Sequence, residues 1–248
     1  GDIRIVAASD DAAAAAVGYN ACLGALNGAM PHRAWQPLEL EWRDEEVDHY
    51  ELCVSLLDST EPPSCQTLTR AQARLTNLAP GLHNVTLTAT SPAGRRATAK
   101  QTVIADETPP TPALLSMDVG AAWASTWGSM EYVECEWSLG SDDETAIASY
   151  DLMLIRTAPD AFFRIDSSAN SSHVDWLGGI EVARVSDLPC DATNATVEAR
   201  IQPGVYHHLV LVTYNLAGLS SSSVSEAFLA DPGNMPLATP GVRFIDAN

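Results

Sequence analysis

The residue types most able to carry chemistry in this chain are asparagines in sequons, cysteines, clustered carboxylates and a few histidines. Asn84-Val85-Thr86, Asn170-Ser171-Ser172 and Asn194-Ala195-Thr196 each match Asn-x-Ser/Thr without an intervening Pro, so Asn84, Asn170 and Asn194 are candidate N-glycan acceptors and should be solvent-exposed. Cys53 and Cys65 bracket an eleven-residue stretch that contains Glu61-Pro62-Pro63-Ser64, a turn between two alternating runs. That placement predicts a cross-hairpin disulfide, worth about 3 kcal/mol by chain entropy. Cys135 and Cys190 are expected to pair within the second half, which leaves Cys22 odd, although Cys22 could take either partner. No pair is spaced as CxxC, which argues against a zinc site and, with the sequons, favours a secreted or cell-surface chain.

The acidic runs Asp44-Glu45-Glu46 with Asp48, and Asp142-Asp143-Glu144, could offer oxygen ligands to Ca2+, as could Asp106 and Asp231. Without fixed ligand spacing they read instead as solvated turns, so no metal or other cofactor is expected. His207 and His208 are adjacent on an alternating run and face opposite sides, so that run alone cannot aim both at one metal; His83 reads as a hydrogen-bonded core residue. HExxH, GxSxG, GxxxxGK[ST] and EF-hand patterns are missing, and no glycosidase cleft can be argued for any two of the 32 carboxylates. No catalytic residues are therefore assigned, and a non-enzyme is expected. Trp35, Trp123, Trp127 and Trp176 lie outside the core pattern and could serve as aromatic platforms for sugars or protein partners, or as sandwich filler.

Composition narrows the partners. With 13 Lys plus Arg against 32 Asp plus Glu, the net charge of -19 repels nucleic acid and anionic membrane surfaces. Apolar residues make up 46% and mean hydropathy is -0.02, enough for packed cores in a chain of 248 residues, most simply as two domains. Apolar runs such as Ala12 to Val17 are far shorter than a spanning helix, so no membrane insertion is expected. The chain starts at Gly1 without a basic and then apolar leader, and reads as a fragment rather than a mature product. Twelve of the positive charges are Arg and one is Lys100, which with the abundant Ala suggests a GC-rich coding sequence.

The elements that must position these residues are strands. Leu38-Glu39-Leu40-Glu41-Trp42 and Tyr50-Glu51-Leu52-Cys53-Val54 alternate apolar and polar, as half-buried strands do, with Cys53 on the outward face. Val133-Glu134-Cys135-Glu136-Trp137 and Tyr150-Asp151-Leu152-Met153-Leu154 repeat them, and the two acidic runs fall in the same loop of each copy. Further on, Leu78-Ala79-Pro80-Gly81 leads through His83 to Ala93-Gly94, and Ile201-Gln202-Pro203-Gly204 leads through His207 to Ala217-Gly218: a Pro-Gly turn, a long strand and an Ala-Gly turn in each case. Ala97 to Ala105 and Ser222 to Ala230 close the two copies.

On these residues each copy resembles a fibronectin type III module, a seven-stranded Ig-like β-sandwich. The resemblance rests on the inward Trp (Trp42, Trp137), the Tyr opening the next strand (Tyr50, Tyr150), the Pro-Gly turn and the Ala-Gly hairpin, over residues 37 to 231. It implies an all-β chain of two tandem modules, 1–106 and 107–231, with 232–248 a linker; Thr239 to Ile245 looks like the opening of a third module. Residues 10–36 are expected to be an Ala-rich insertion containing a short helix, and 157–196 an insertion in the second module made of loops with room for an added hairpin. His83 and His207 stand where the family places its corner tyrosine, so that hydrogen bond should differ, with Tyr206 a candidate substitute. Asp106-Glu107-Thr108-Pro109-Pro110, with Pro112, resembles the linkers of long extracellular repeat proteins and should be short and stiff. The expected function is a structural or adhesive segment of a secreted or cell-surface glycoprotein, within an extracellular filament or assembly, partnered by other modules or subunits and bearing N-glycans. The alternative is an accessory carbohydrate-binding or spacer region of a secreted enzyme.

Overall fold

The computed structural model describes residues 6–7, 29–34, 36–42, 47–57, 59–116, 131–157, 179–200, 205–229 and 243–245. These residues form strands and turns with no helix, and the chain divides between Thr108 and Pro109 into two compact units. Of residues 10–36, expected to hold a short helix, only 29–34 and 36 are in the described set, and Trp35, Trp123, Trp127 and Trp176 lie outside it.

In the first unit β1 (Val6–Ala7), β3 (Leu38–Glu41) and β6 (Gln72–Leu75) form one sheet. The other runs in the order β2 (Met30–Arg33), β8 (Arg96–Asp106), β7 (Gly81–Thr90), β4 (His49–Leu56) and β5 (Ser64–Leu68). Alternation decides which side chains point inward. Leu38 and Leu40 meet Leu52, Val85, Leu87 and Val103 in the core, while Glu39, Glu41 and Glu51 stay in water. β2 joins β8 in parallel with Met30 opposite Val103, so part of the expected insertion is sheet, and eight strands are described rather than seven.

In the second unit β9 (Leu115–Ser116), β10 (Glu131–Trp137), β13 (Asn194–Ala199) and β17 (Arg243–Ile245) form one sheet. β11 (Ile147–Thr157), β12 (Ile180–Pro189), β14 (Tyr206–Asn215), β15 (Ser220–Val224) and β16 (Phe228–Leu229) form the other. Both units therefore have the two-sheet, fibronectin III-like arrangement that the residue pattern implied, with the long β7 and β14 central in their sheets. The Ala-Gly turns behave alike as well: Gly94 and Gly218 take φ of +76° and +78°, a left-handed conformation that favours glycine.

Three expectations are corrected. The strands in 157–196 are not an added hairpin, because β12 pairs with β11 and the start of β13 with β10, in different sheets. Arg243–Ile245, expected to open a third module, instead pairs with β10, Ile245 opposite Tyr132. The simple alternation read into Tyr150 to Leu154 also breaks down. Met153, Ile155, Val210 and Val212 form a second buried apolar cluster on the outward side of β11 and β14, so this sheet is buried on both faces.

The missed strand β12 is held by an ion pair. Asp151 Oδ2 accepts a hydrogen bond from Arg184 Nη1 at 3.1 Å, Asp151 Oδ1 accepts one from the Asp187 amide at 3.0 Å, and Arg184 also reaches Glu181 at 2.7 Å. Asp187 has a left-handed φ of +56° beside the register shift between Tyr150 and Leu152, so the carboxylate fastens an irregular point of the ladder. Asp151→Ala leaves the Asp187 amide without its carboxylate and takes one of the two acidic partners from Arg184, which keeps Glu181. Because Arg184 is partly solvated, the expected loss is about 2 kcal/mol rather than the larger cost of a sealed pair, measured by denaturant unfolding of the second unit.

Candidate functional site

The outward face of β4 and β5 carries the densest set of ligating side chains. Tyr50 and Leu52 face the core, so Glu51 and Cys53 must face out, and the register sets Cys53 directly opposite Cys65 on β5. The two Cα atoms are 4.1 Å apart and the sulfurs are bonded, as expected from the Pro-Pro hairpin. Glu51 offers a carboxylate oxygen within 4.8 Å of both sulfurs, and among the described residues no other three His, Cys, Asp or Glu side chains converge in this way. β5 is the outermost strand of its sheet, and of its five residues only Leu68 packs against the core.

The second expected disulfide is not formed. Cys135 is a free, buried thiol, inward on β10 between Val133 and Trp137, and burial away from water pushes it up to about 12. Cys190, at the turn after β12, is disulfide-bonded, but not to Cys135. Alternation explains the error: the same pattern that turns Cys53 outward turns Cys135 into the core. Cys22 lies outside the described residues.

Two of the three sequons fall on described strands. Asn84 is half-buried on the outward face of β7, between Ser55 of β4 and Thr102 of β8, with His83 and Val85 inward. Asn194 is exposed and opens β13 opposite Glu136, on a strand rather than in the expected insertion loop. Asn170 lies outside the described residues.

The acidic loop of the second unit has an internal role. Asp142 Oδ1 accepts hydrogen bonds from the amides of Glu144 at 3.0 Å and Thr145 at 2.6 Å, and its Oδ2 accepts one from Asn215 Nδ2 at 3.1 Å. Asn215 Oδ1 then accepts from the Leu219 amide at 2.7 Å, so the loop is tied to the β14–β15 hairpin. Asp48 is exposed and 2.9 Å from His49 Nδ1, while Asp44, Glu45, Glu46 and Asp231 lie outside the described residues. Asp106 is fully buried, its Oδ1 accepting from the Thr108 amide at 3.0 Å.

The histidines replace the corner tyrosine in a way the sequence only hinted at. His83 is buried and its Nε2–H donates to the Ala79 carbonyl at 2.7 Å, four residues upstream, as a corner tyrosine hydroxyl would. His207 is buried too; its Nδ1–H donates to the Val205 carbonyl at 2.9 Å and its ring stacks on Phe228 at 5.7 Å. Tyr206, the suggested substitute, points outward and is exposed. His208 turns the other way and its Nδ1–H donates to the Ser225 carbonyl at 3.0 Å, so the pair does divide between the two faces. Burial is the main cause that pulls His207 down to about 4, and it lowers His208 as well.

No family model matches the sequence, and no curated protein matches it. Among solved structures, the chain is similar to the fibronectin(III)-like modules of CbhA from Clostridium thermocellum, at 14% identity over 92% of this chain and 94% of that one, with a TM-score of 0.46. It is also similar to a segment of two fibronectin type III domains from chicken tenascin, at 14% identity over 78% and 93% of the two chains, with a TM-score of 0.27. The fold assignment rests on the strand order within each unit.

Acid should weaken the second unit through His207. The unfolded chain binds that proton near pH 6.5 and the folded one only near 4, so between these values the unfolded state holds more protons and stability falls as pH falls. Protonation would also bury an N–H on Nε2, which has no partner. A loss of up to roughly 3 kcal/mol from pH 7 to 4 is expected, and His207→Gln should flatten that part of the unfolding profile relative to the parent protein. In the first unit, replacing Cys53 and Cys65 together by Ser should lower the unfolding free energy by about 2–3 kcal/mol in denaturant titrations, because a 12-residue separation is no longer closed in the unfolded chain.

Proposed function

We propose that the chain is a non-enzymatic spacer segment of a secreted or cell-surface glycoprotein, one stretch of a larger extracellular assembly. The observation that carries this reading is the junction between the units. β8 ends at the buried Asp106, Pro110 is buried again, and Thr111 already bridges to Ser141 of the second sandwich. Only Glu107, Thr108 and Pro109 are exposed between those points, and the Asp106 side chain fixes the first turn by accepting from Thr108. Two sandwiches with separate cores on so short a proline-bearing connection suit a part whose job is to hold a spacing.

The Cys53–Cys65 disulfide and the outward placement of Asn84 and Asn194 support an oxidising, glycosylating route of synthesis. Partners in this reading are neighbouring modules or subunits, and the strongly negative surface disfavours nucleic acid and anionic lipid.

Small-angle scattering tests the spacer directly. A narrow distribution of distances between the two units is expected, unchanged by a calcium chelator and broadened when Pro109 and Pro110 are both replaced by Gly. A broad distribution in the parent protein overturns the spacer reading. Intact-mass analysis of protein recovered from a glycosylating host, before and after enzymatic removal of N-glycans, tests the glycoprotein part: a mass shift that is lost in an Asn84→Gln, Asn194→Gln pair supports it, and an unmodified mass overturns it.

A further inference from the structure

Glu51, Cys53 and Cys65 are the one described trio whose ligating atoms lie close enough together to share an ion, and two of the three are tied up in a disulfide. The spacer reading takes this disulfide only as a mark of an oxidising route of synthesis. We propose that the trio is a redox-gated metal site: closed while the sulfurs are bonded, and open to a thiophilic divalent cation such as Zn2+ once the disulfide is reduced.

The backbone would keep the ligands together after reduction. Cys53 and Cys65 are opposed within a ladder that runs from Tyr50 paired with Leu68 to Val54 paired with Ser64, and β4 is itself paired along its other edge with β7. Two sulfurs on one tetrahedral zinc, at about 2.3 Å each, sit about 3.8 Å apart. The two Cα atoms are 4.1 Å apart on opposed strands, so rotation of the two side chains reaches that separation without moving the backbone. Glu51 is two residues from Cys53 on the same strand, hence on the same face, and brings a carboxylate oxygen as the third ligand. The position opposite the sheet is left to water, because Glu51 and Cys65 are exposed and Cys53 is half-exposed.

The donor set selects the ion. Two thiolates and one carboxylate suit zinc, cadmium or cobalt, whereas calcium and magnesium require oxygen donors that this face does not provide. Opening the site needs two electrons. A dithiol attacks the exposed Cys65 sulfur, the Cys53–Cys65 bond breaks, and the dithiol leaves as its own disulfide with two protein thiols formed in exchange. Metal binding then displaces the two thiol protons to solvent.

The test uses the whole chain and Co2+ as the probe, with a phosphine as reductant so that no added thiol competes for the metal; the phosphine takes up oxygen from water as the disulfide becomes two thiols. The phosphine also opens the disulfide at Cys190, so the reference is the equally reduced double variant Cys53→Ser, Cys65→Ser: the reduced parent should bind one more Co2+ than this variant, with an added thiolate-to-cobalt charge-transfer absorption, and the oxidised protein should show none. E51Q, which keeps both cysteines and the disulfide, should weaken binding by at least about tenfold, since a lost ligand costs no less than a lost outer-shell contact. C65S should lose the absorption that the parent has beyond the double variant. The proposal is overturned if protein with Cys53 and Cys65 shown free by alkylation takes up no more Co2+ than the equally reduced double variant, if E51Q binds as the parent does, or if the double variant shows the parent's full absorption.

Discussion

Each sandwich is closed by one aromatic contact between its two sheets. Trp42, just after β3, meets Tyr50 of β4 edge-on at 5.2 Å and 65°, and Trp137 of β10 meets Tyr150 of β11 at 5.8 Å and 58°. All four rings are buried, and each couples the strand before a loop to the strand after it across the interior. The parity of every other residue on those strands follows from that contact. With Trp42 and Tyr50 inward, Leu40 and Leu52 are core, and Glu39, Glu41, Glu51 and Cys53 are surface. The Tyr150 hydroxyl adds a polar tie, accepting a hydrogen bond from the Gly140 amide at 3.1 Å. A side chain at Gly140 would strike the Thr111 carbonyl at 2.8 Å, so the loop passes too close to the segment before β9 for any other residue.

Where one face is wet, this logic is legible from the residues alone. β3, β4 and β7 alternate without interruption, and the sheet that holds Cys53 opposite Cys65 could be drawn from the pattern. It stops being legible where the physical premise changes. β11 and β14 are apolar on both faces, so a period of two carries little signal in Leu152 to Ile155 or Leu209 to Val212. β12 fails for the opposite reason. Most of its side chains are at least partly exposed, and its register with β11 shifts twice, so Ile180 to Pro189 resembles loop sequence although it is ten residues of strand. What makes it a strand is its pairing with β11, fastened by Arg184 to Asp151, a contact between residues 33 apart that no local window contains.

The corner histidines show a different kind of partial legibility. Their positions departed visibly from the family pattern, but the consequence did not follow from position alone, because Tyr206 offers the familiar hydroxyl one residue away. Parity decides between them: Tyr206 shares a face with His208, and only His207 shares one with Leu209 and Leu211 of the main core. An imidazole can donate one N–H to the turn carbonyl as the phenol does, yet it brings a second nitrogen that His83 and His207 leave buried without a partner. The imidazoles thus tie the turns to the strands and add sensitivity to acid in the second unit, where burial is what lowers His207.

The same parity argument explains why one residue type has opposite chemistry in the two units. Cys53 follows Leu52 and precedes Val54 on a strand whose inward set is Tyr50 and Leu52, so it falls on the wet face and, β5 being the sheet's edge, beside a neighbour free to carry a matching cysteine. Cys135 lies between Glu134 and Glu136, flanked by the inward Val133 and Trp137, so its thiol belongs to the core. There, desolvation, with the Glu136 charge acting in the same direction, keeps the thiol protonated and unreactive. A shift of one residue in the register of either strand would exchange these fates, exposing a lone thiol in one unit and burying half of a disulfide in the other. Reactivity in this chain is therefore set less by where the cysteines fall in the sequence than by which face the Trp–Tyr contact assigns to them.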